Sequence, residues 1–499
     1  MTTTSVRLAA LISVSISIGA GFATPCRAAE DYALSLEECI DFALKKNLDL
    51  QSGQTVPLIA EYNLRAARSA YEPSLTANFS HRSTTSPGGV DSQTNELFRG
   101  TETMRDHYGA GITGRLPTGA TYSIGANKTR TDVMNLGGQF FNEHAFVGAD
   151  IRQPLLKNLW IDSTRLQIEV GRLNLRLSES GLQSLLINVI TNVELAYYNL
   201  IAARDRLKIF QQSYELASQL VQSHQKQVAA GRMARLDEKQ AQARVATSEA
   251  ALFAGRNQLA ERENALKLLI SADFASWADH VLVPSTPMDK EAEPKSRESS
   301  WAQALTNRTE MIQARLQLEK EHVQLRFAKN QRFPSLDLTA SYAYTGSSRE
   351  IRHRKTPDYG IGIALTIPLG NGAARARVEA QKLRQRQSLI AYKKLEQQIM
   401  ADVLDAMNAV ESNAQRVKAT GEARAFAETA LEAEQKKLAN GKSTNFIVLQ
   451  LQADLTQARL NESLAIVDYN RALATLSLTE ATTLERHSIS LRDPRNTNQ

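Results

Sequence analysis

The sequence predicts a mostly α-helical chain with a smaller β component. It is one unit written twice, each copy a set of alternating strands followed by a long antiparallel helical hairpin. Three observations carry this expectation. First, "ALKKNLDL" (43–50) aligns with "ALTNRTEM" (304–311), and "LRAARSAYEPSL" (64–75) with "LRFAKNQRFPSL" (325–336), under one shift of 261 positions. Further on the shift is about 210, pairing "NVELAYYN" (192–199) with "DVLDAMNA" (402–409) and Gly231 with Gly441. Second, proline is absent from 155 to 283 and again from 369 to 493, leaving room for very long helices. Third, runs of period-two alternation precede both proline-free stretches. Two copies are too few for a stacking solenoid, so the pattern is a duplication.

The elements follow in chain order. Arg7, the apolar run Leu8–Ala23 and the small residues of "CRAAED" form a secretory signal of the bacterial export type, covering residues 1–28, with cleavage expected after Ala28. Lipidation of Cys26 is the alternative, although Pro25 is a poor residue before an acylated cysteine. The signal carries Arg7, Arg27 and no acids, so its removal lowers the net charge from +6 to +4. It also leaves Cys39 alone, a small buried residue with no disulfide partner.

Residues 29–270 form the first copy, 271–298 a linker, 299–480 the second copy and 481–499 a flexible tail. Each copy opens with a helix, about 36–71 and 299–332, stopped by Pro73 or Pro334. Strands are expected at about 73–153 and 334–368. In the second set Leu336, Leu338, Ala340, Tyr342 and Tyr344 share one face, and Tyr359, Ile361, Ile363, Leu365 and Ile367 repeat it. Runs of this length, apolar on one side and polar on the other, suit a transmembrane β-barrel, with a soluble hairpin as the alternative. The first set is longer by a segment at about 88–144, including "GAGITGRLPTGATYSIGANKTR", whose Pro-Thr-Gly reads as a turn. It is either an extra hairpin in the sheet or a surface flap.

The long helices come next. Leu182, Leu186, Val189, Val193, Ala196, Leu200, Ala203, Leu207, Phe210, Tyr214, Ala217 and Val221 keep unbroken 4-3 spacing, a coiled-coil seam. The last helix carries two apolar stripes, one through Phe446, Leu449, Ala453 and Leu460, the other through Leu451, Leu455, Ala458 and Ala465, so it has neighbours on two sides. Gly231 and Gly441 mark the tips where the hairpins reverse. "ANGKSTNF" (439–446) is not a phosphate loop, because Lys436 stands where that loop needs its first glycine and a helix precedes it.

Several function classes drop out. Basic and acidic residues interleave, which argues against nucleic acid. The eight histidines are scattered, and His224 and His322 read as packed or solvated helix residues. "GIGIALTIPLGNG" alternates as a strand and is no dinucleotide loop. No acid–base or nucleophile constellation appears, so neither an enzyme nor a cofactor is expected. No run of eighteen apolar residues lies in the body of the chain, so no membrane helix is expected there.

An exported, duplicated chain of helix, strands, long helix, glycine turn and helix resembles the TolC family of outer-membrane channel-tunnels over residues 36–480. The residues that carry the resemblance are the paired "PSL" segments and the run from Gly441 through Leu449, Ala453, "QARL" and "DYNRALATL". The resemblance implies a homotrimer without catalytic residues: a barrel in outer-membrane lipid, pooling strands from three chains, on a periplasmic helical tunnel. It implies a passive exit in tripartite efflux or type I secretion, with an inner-membrane RND or ABC pump and a periplasmic adaptor (membrane fusion) protein. The tips at Gly231, Arg232, Gly441 and Lys442 would dock the adaptor. The family's periplasmic gate has two aspartates, which align here with Ile447 and Gln450. Its tyrosine and arginine align with Leu438 and Ser443, while Asp237 fits their aspartate partner. The position of the gate carries over and its chemistry does not: three Ile447 side chains would make an apolar constriction. The first strand set departs from the family, whose usual four strands per chain is here a lower bound. A soluble periplasmic coiled-coil adaptor or scaffold is the rival reading, and it leaves the strand pairs unexplained.

Overall fold

The computed structural model describes residues 31–489 except 91–92, 94–96, 99, 136–137, 231–233, 290–295, 348–356 and 441. The expected export signal with Cys26, the tip residues Gly231, Arg232 and Gly441, and positions 490–499 lie outside the described residues.

Ser35 opens α1 (Leu36–Lys46) with a complete capping box to Glu38. The expected single helix then breaks at Asn47, whose side chain caps α2 (Leu48–Arg68) by accepting from Leu50 N–H at 3.1 Å. The second copy breaks at the matching place: α5 (Arg297–Asn307) and α6 (Thr309–Asn330) meet at Arg308, 261 positions on. The cause is the same, since both junction residues are extended (ψ 126 and 128) and end one helix while starting the next.

Four helices make the body: α3 (Ser163–Ala229), α4 (Arg235–Ile270), α7 (Gly372–Ala439) and α8 (Asn445–Glu480). With 67 and 68 residues, α3 and α7 are each about 100 Å long. Helix α8 runs antiparallel to α3, as its polar contacts show: Thr456 to Ser213, Arg459 to Gln212, Ser463 to Asp205 and Arg471 to Asn199. Val189, Val193, Leu200, Ala203 and Ala217 of the seam are buried. The middle of α3 also buries Ile187, Ile190 and Tyr197, off the seam, because other elements wrap it there. An 18-residue window of α3 reaches a mean hydropathy of 1.3, against the expectation of no such helix. Half of it is buried inside the chain, and it packs as a core helix.

The wrapping elements form a belt around that midpoint. Strand β1 (Asp31–Leu34) pairs in parallel with β8 (Val281–Pro284), which lies in the expected linker. Tyr197 Oη donates to Leu34 O and accepts from Thr286 N–H, both at 3.0 Å. The expected flexible tail begins too early. Helix α9 (Thr483–Arg486) packs on α3, with Arg486 Nη1 3.0 Å from Glu194 Oε1, a carboxylate with no exposed surface. A buried charge needs its partner, and that need orders residues 481–489. Cys39 is also fully buried here, and burial pushes its thiol up to about 12. Thiol reagents are therefore expected to leave Cys39 unmodified in the native protein and to label it on unfolding.

The remaining strands form one antiparallel sheet of order β10-β9-β7-β6-β5-β2: β2 (Ser74–Ser86), β5 (Thr101–Arg115), β6 (Thr121–Asn135), β7 (Gly138–Pro154), β9 (Ser335–Gly346) and β10 (Pro357–Thr366). Two-residue strands β3 (Gly89–Val90) and β4 (Leu97–Phe98) pair by themselves. The long segment of the first copy thus adds the hairpin β5–β6 to the sheet itself. The hairpin has a footing on the helices. Its turn closes with Gly119 N–H on Leu116 O, and Gly119 has φ +88. A Cβ there would meet Asn158 O at 2.7 Å, so both conformation and space demand glycine. Arg165 of α3 donates to Asn158 O and Leu159 O at 2.6 and 2.7 Å, fixing the loop on which the turn rests.

Candidate functional site: helical tips and sheet faces

The α7–α8 tip is built by the end of α7. Lys442 N–H donates to Lys437 O at 2.9 Å, the six-to-one bond of a Schellman-type cap, and Asn440 Nδ2 donates to Lys436 O. Ser443 Oγ donates to Glu434 Oε1 at 2.6 Å. That bond, with Lys437 nearby, holds the Glu434 carboxyl below its ordinary value. Leu438 packs against Leu431, Val448 and Leu455, so the tip has its own apolar cluster. Ile447 is 42% exposed, and its neighbour Phe446 is 67% exposed, although Phe446 reads as part of a packed stripe. Gln450 Nε2 donates to Asp454 Oδ1 at 3.1 Å.

At the α3–α4 tip, Asp237 is half-buried in the first turn of α4, where an acid suits the helix N-terminus. The structure brings Leu438, Ser443, Ile447 and Gln450 to one end of the α7–α8 hairpin. It does not join Asp237 to Leu438 or Ser443, which are engaged elsewhere. The two hairpins are tied instead by a contact the sequence did not single out. Asn445 and His224 are both buried, and their amide and ring nitrogens lie 3.5 Å apart. Asn445 Oδ1 has no partner as drawn; turning the amide over lets it accept from the ring. Neither residue type announces such a pairing from 221 positions away.

The sheet presents two unlike faces. Register pairs Tyr342 with Tyr359, Ala340 with Ile361, Leu338 with Ile363 and Leu336 with Leu365. The same face continues through Ile151, Ile124, Ile112, Leu75 and Phe79. Most of these side chains are exposed, Ile361 at 82% and Leu75 at 75%, while Leu336, Leu338 and Ala340 of β9 are half-buried. The opposite face carries Thr76, Asn78, Ser123, Asp150, Thr339 and Ser341. Asp337 on this face is held by Arg152 Nη2 at 2.5 Å. Strands β2 and β10 are the edges, and β2 is exposed along all its length.

The family model described as "Outer membrane efflux protein" matches residues 115–272 and 301–481. The chain is 27% identical over 317 residues to SilC of Salmonella typhimurium, a probable outer membrane lipoprotein; the match spans 60% of this chain and 62% of SilC. It is 23% identical over 319 residues to the cation efflux system protein CusC of Escherichia coli K12, spanning 62% and 67% of the two chains. The fold matches the crystal structure of the outer membrane protein VceC of Vibrio cholerae with a TM-score of 0.65 at 17% identity, covering 89% of this chain and 95% of that one. Two matched blocks, one in each copy of the duplicated unit, together span most of the chain, which therefore belongs to the outer membrane efflux protein family.

Proposed function

We propose that three copies of this chain assemble into an outer-membrane channel that gives passive exit to substrates driven by an inner-membrane pump. One observation carries this reading: a six-stranded sheet, apolar and exposed on one face, polar on the other and open at both edges, stands on helical hairpins about 100 Å long. An exposed apolar face of this extent needs lipid, and open edges in lipid must pair. Strands β2 and β10 run in opposite directions across the sheet, so the β10 of one copy can pair with the β2 of the next and close an antiparallel barrel. A soluble scaffold has no use for such a face, and no step of this reading needs a catalytic residue or a cofactor. An RND or ABC pump supplies the energy, and a periplasmic adaptor engages the tips around Lys442 and the residues flanking 231 and 441.

The barrel so formed has eighteen strands from three six-stranded sheets, where the family's usual four strands per chain make twelve. With strands about 4.8 Å apart and tilted about 40°, eighteen give a diameter of about 36 Å against about 24 Å for twelve. The wall is then as wide as a porin's, and passage is controlled at the tips. Protein extracted from outer membranes is expected to be a trimer that conducts ions after reconstitution, and electron cryomicroscopy in nanodiscs should count eighteen strands. A water-soluble monomer sinks the channel reading; a trimer with twelve strands sinks only the wide barrel.

A further inference from the structure

In the half of the sheet away from the helices, basic residues on the two faces are treated differently. Beyond the apolar band, the exposed face carries basic side chains that each have an acid: His81 with Asp106 at 2.6 Å, Lys128 with Glu143 at 3.1 Å and Arg130 with Asp132 at 3.2 Å. On the polar face, Arg82 of β2 stands directly opposite Arg105 of β5. Both are exposed, and among the described residues neither has a hydrogen bond or ion pair. The row continues through Thr131 and Asn142. The row on one side is Ser80, His107, Thr129 and His144, and on the other Thr84, Thr103, Val133 and Phe140. None of these is acidic. Like charges directly opposite in a sheet oppose strand pairing, and two forked guanidiniums side by side make a ready receptor for a multiply charged oxyanion.

We infer that Arg82 and Arg105 form a polyanion-binding site on the polar face, repeated three times around the outer half of the lumen as a cationic girdle. This rests on the channel reading for its place in a lumen, though the arginine pair itself lies within one chain. The parity of the register is what puts it there: Arg82 shares its face with Thr76 and Asn78, while the exposed apolar face takes Leu75 and Phe79. Its chemistry favours solutes with clustered phosphate or carboxylate groups, and a ring of arginines in a pore draws anions. The hairpin β5–β6 supplies one arginine of each pair, so the girdle depends on that addition to the sheet.

The test is calorimetric titration of inorganic pyrophosphate into the detergent-solubilised protein at low salt. Wild type is expected to bind, with affinity falling as salt rises. The variant with both Arg82→Gln and Arg105→Gln should bind at least about tenfold more weakly. Arg115→Gln, which removes an arginine engaged with Thr164, should bind like wild type. Circular dichroism checks that each variant keeps its fold, and single substitutions Arg82→Gln and Arg105→Gln, each removing half of the repulsive pair, give a second route if the double variant does not. Equal binding by wild type and the arginine variants overturns the site, as does no binding by wild type. If the protein proves to be a soluble monomer, the channel reading fails while the titration still decides whether the pair binds polyanions.

Discussion

Ile447→Asp is expected to make the channel's periplasmic mouth strongly cation-selective and sensitive to block by divalent cations. The wild-type mouth should show little of either property. The reasoning starts from the second tip. Ile447 is 42% exposed on the first turn of α8, beside Phe446, and that turn holds no acidic residue. In the proposed trimer three copies of this turn would converge, and an apolar ring resists ions by excluding water rather than by charge. The nearest carboxylate on the helix is Asp454, and Gln450 already donates to it. That leaves the wild-type mouth a weak negative bias, not a ring of free charge. Three new carboxylates in a narrow mouth, poorly screened, produce a strong negative potential. Half-blocking concentrations of a divalent cation should fall by about tenfold or more. Reversal potentials and divalent titration on reconstituted wild type and variant decide the matter. A wild-type channel that is already strongly cation-selective and divalent-blocked refutes the apolar mouth.

Arg486→Ala is the substitution expected to cost most stability, about 3–5 kcal/mol. Glu194 has no exposed surface, and Arg486 is its ion-pair partner at 3.0 Å. Tyr198 Oη donates to the same carboxylate at 3.2 Å, and burial first, then the charge of Glu194, push its hydroxyl above its ordinary value, so it keeps its proton. His487 Nε2 lies 3.6 Å from the other oxygen, too far for a good hydrogen bond. Removing Arg486 leaves Glu194 with one neutral donor in a dry site at the middle of α3. The loss is larger than for an exposed pair such as Lys436–Glu432, which contributes little. Thermal melts followed by circular dichroism should show a clear drop for Arg486→Ala and partial recovery when Glu194→Gln is added, because the second change removes the orphaned charge. Arg486→Ala melting like wild type would show that the pair does not hold the belt.

Much of the architecture is legible along the chain because it is local. A 4-3 repeat over forty residues, a proline at each end and a period of two between prolines each fix one element without reference to any other. The reversal between α7 and α8 was legible in position, since a turn signal and the apolar stripes of the helix after it are marked by sequence. Its bonding was not: Ser443 turns to Glu434, and Asn445 meets His224 across 221 positions, through residue types that signal nothing by themselves.

The sequence by itself determined the duplication, the long uninterrupted helices, the alternating faces and the turn at Pro117-Thr118-Gly119, because these follow from backbone sterics and the periodicity of neighbouring residues. Only the tertiary structure decided that this turn joins a hairpin to the sheet. Pairing β5 with β2 and β6 with β7 is a choice among strands of equal local merit, settled by the footing of Gly119 on Asn158 and by the register of whole strands. The four-residue partners β1 and β8 are 250 positions apart and too short to signal a sheet. The burial of Glu194 was hidden for a related reason. A carboxylate on a coiled-coil helix normally faces water, and it is enclosed here only because chain ends far away in sequence, β1 and α9, close over the same turn of α3.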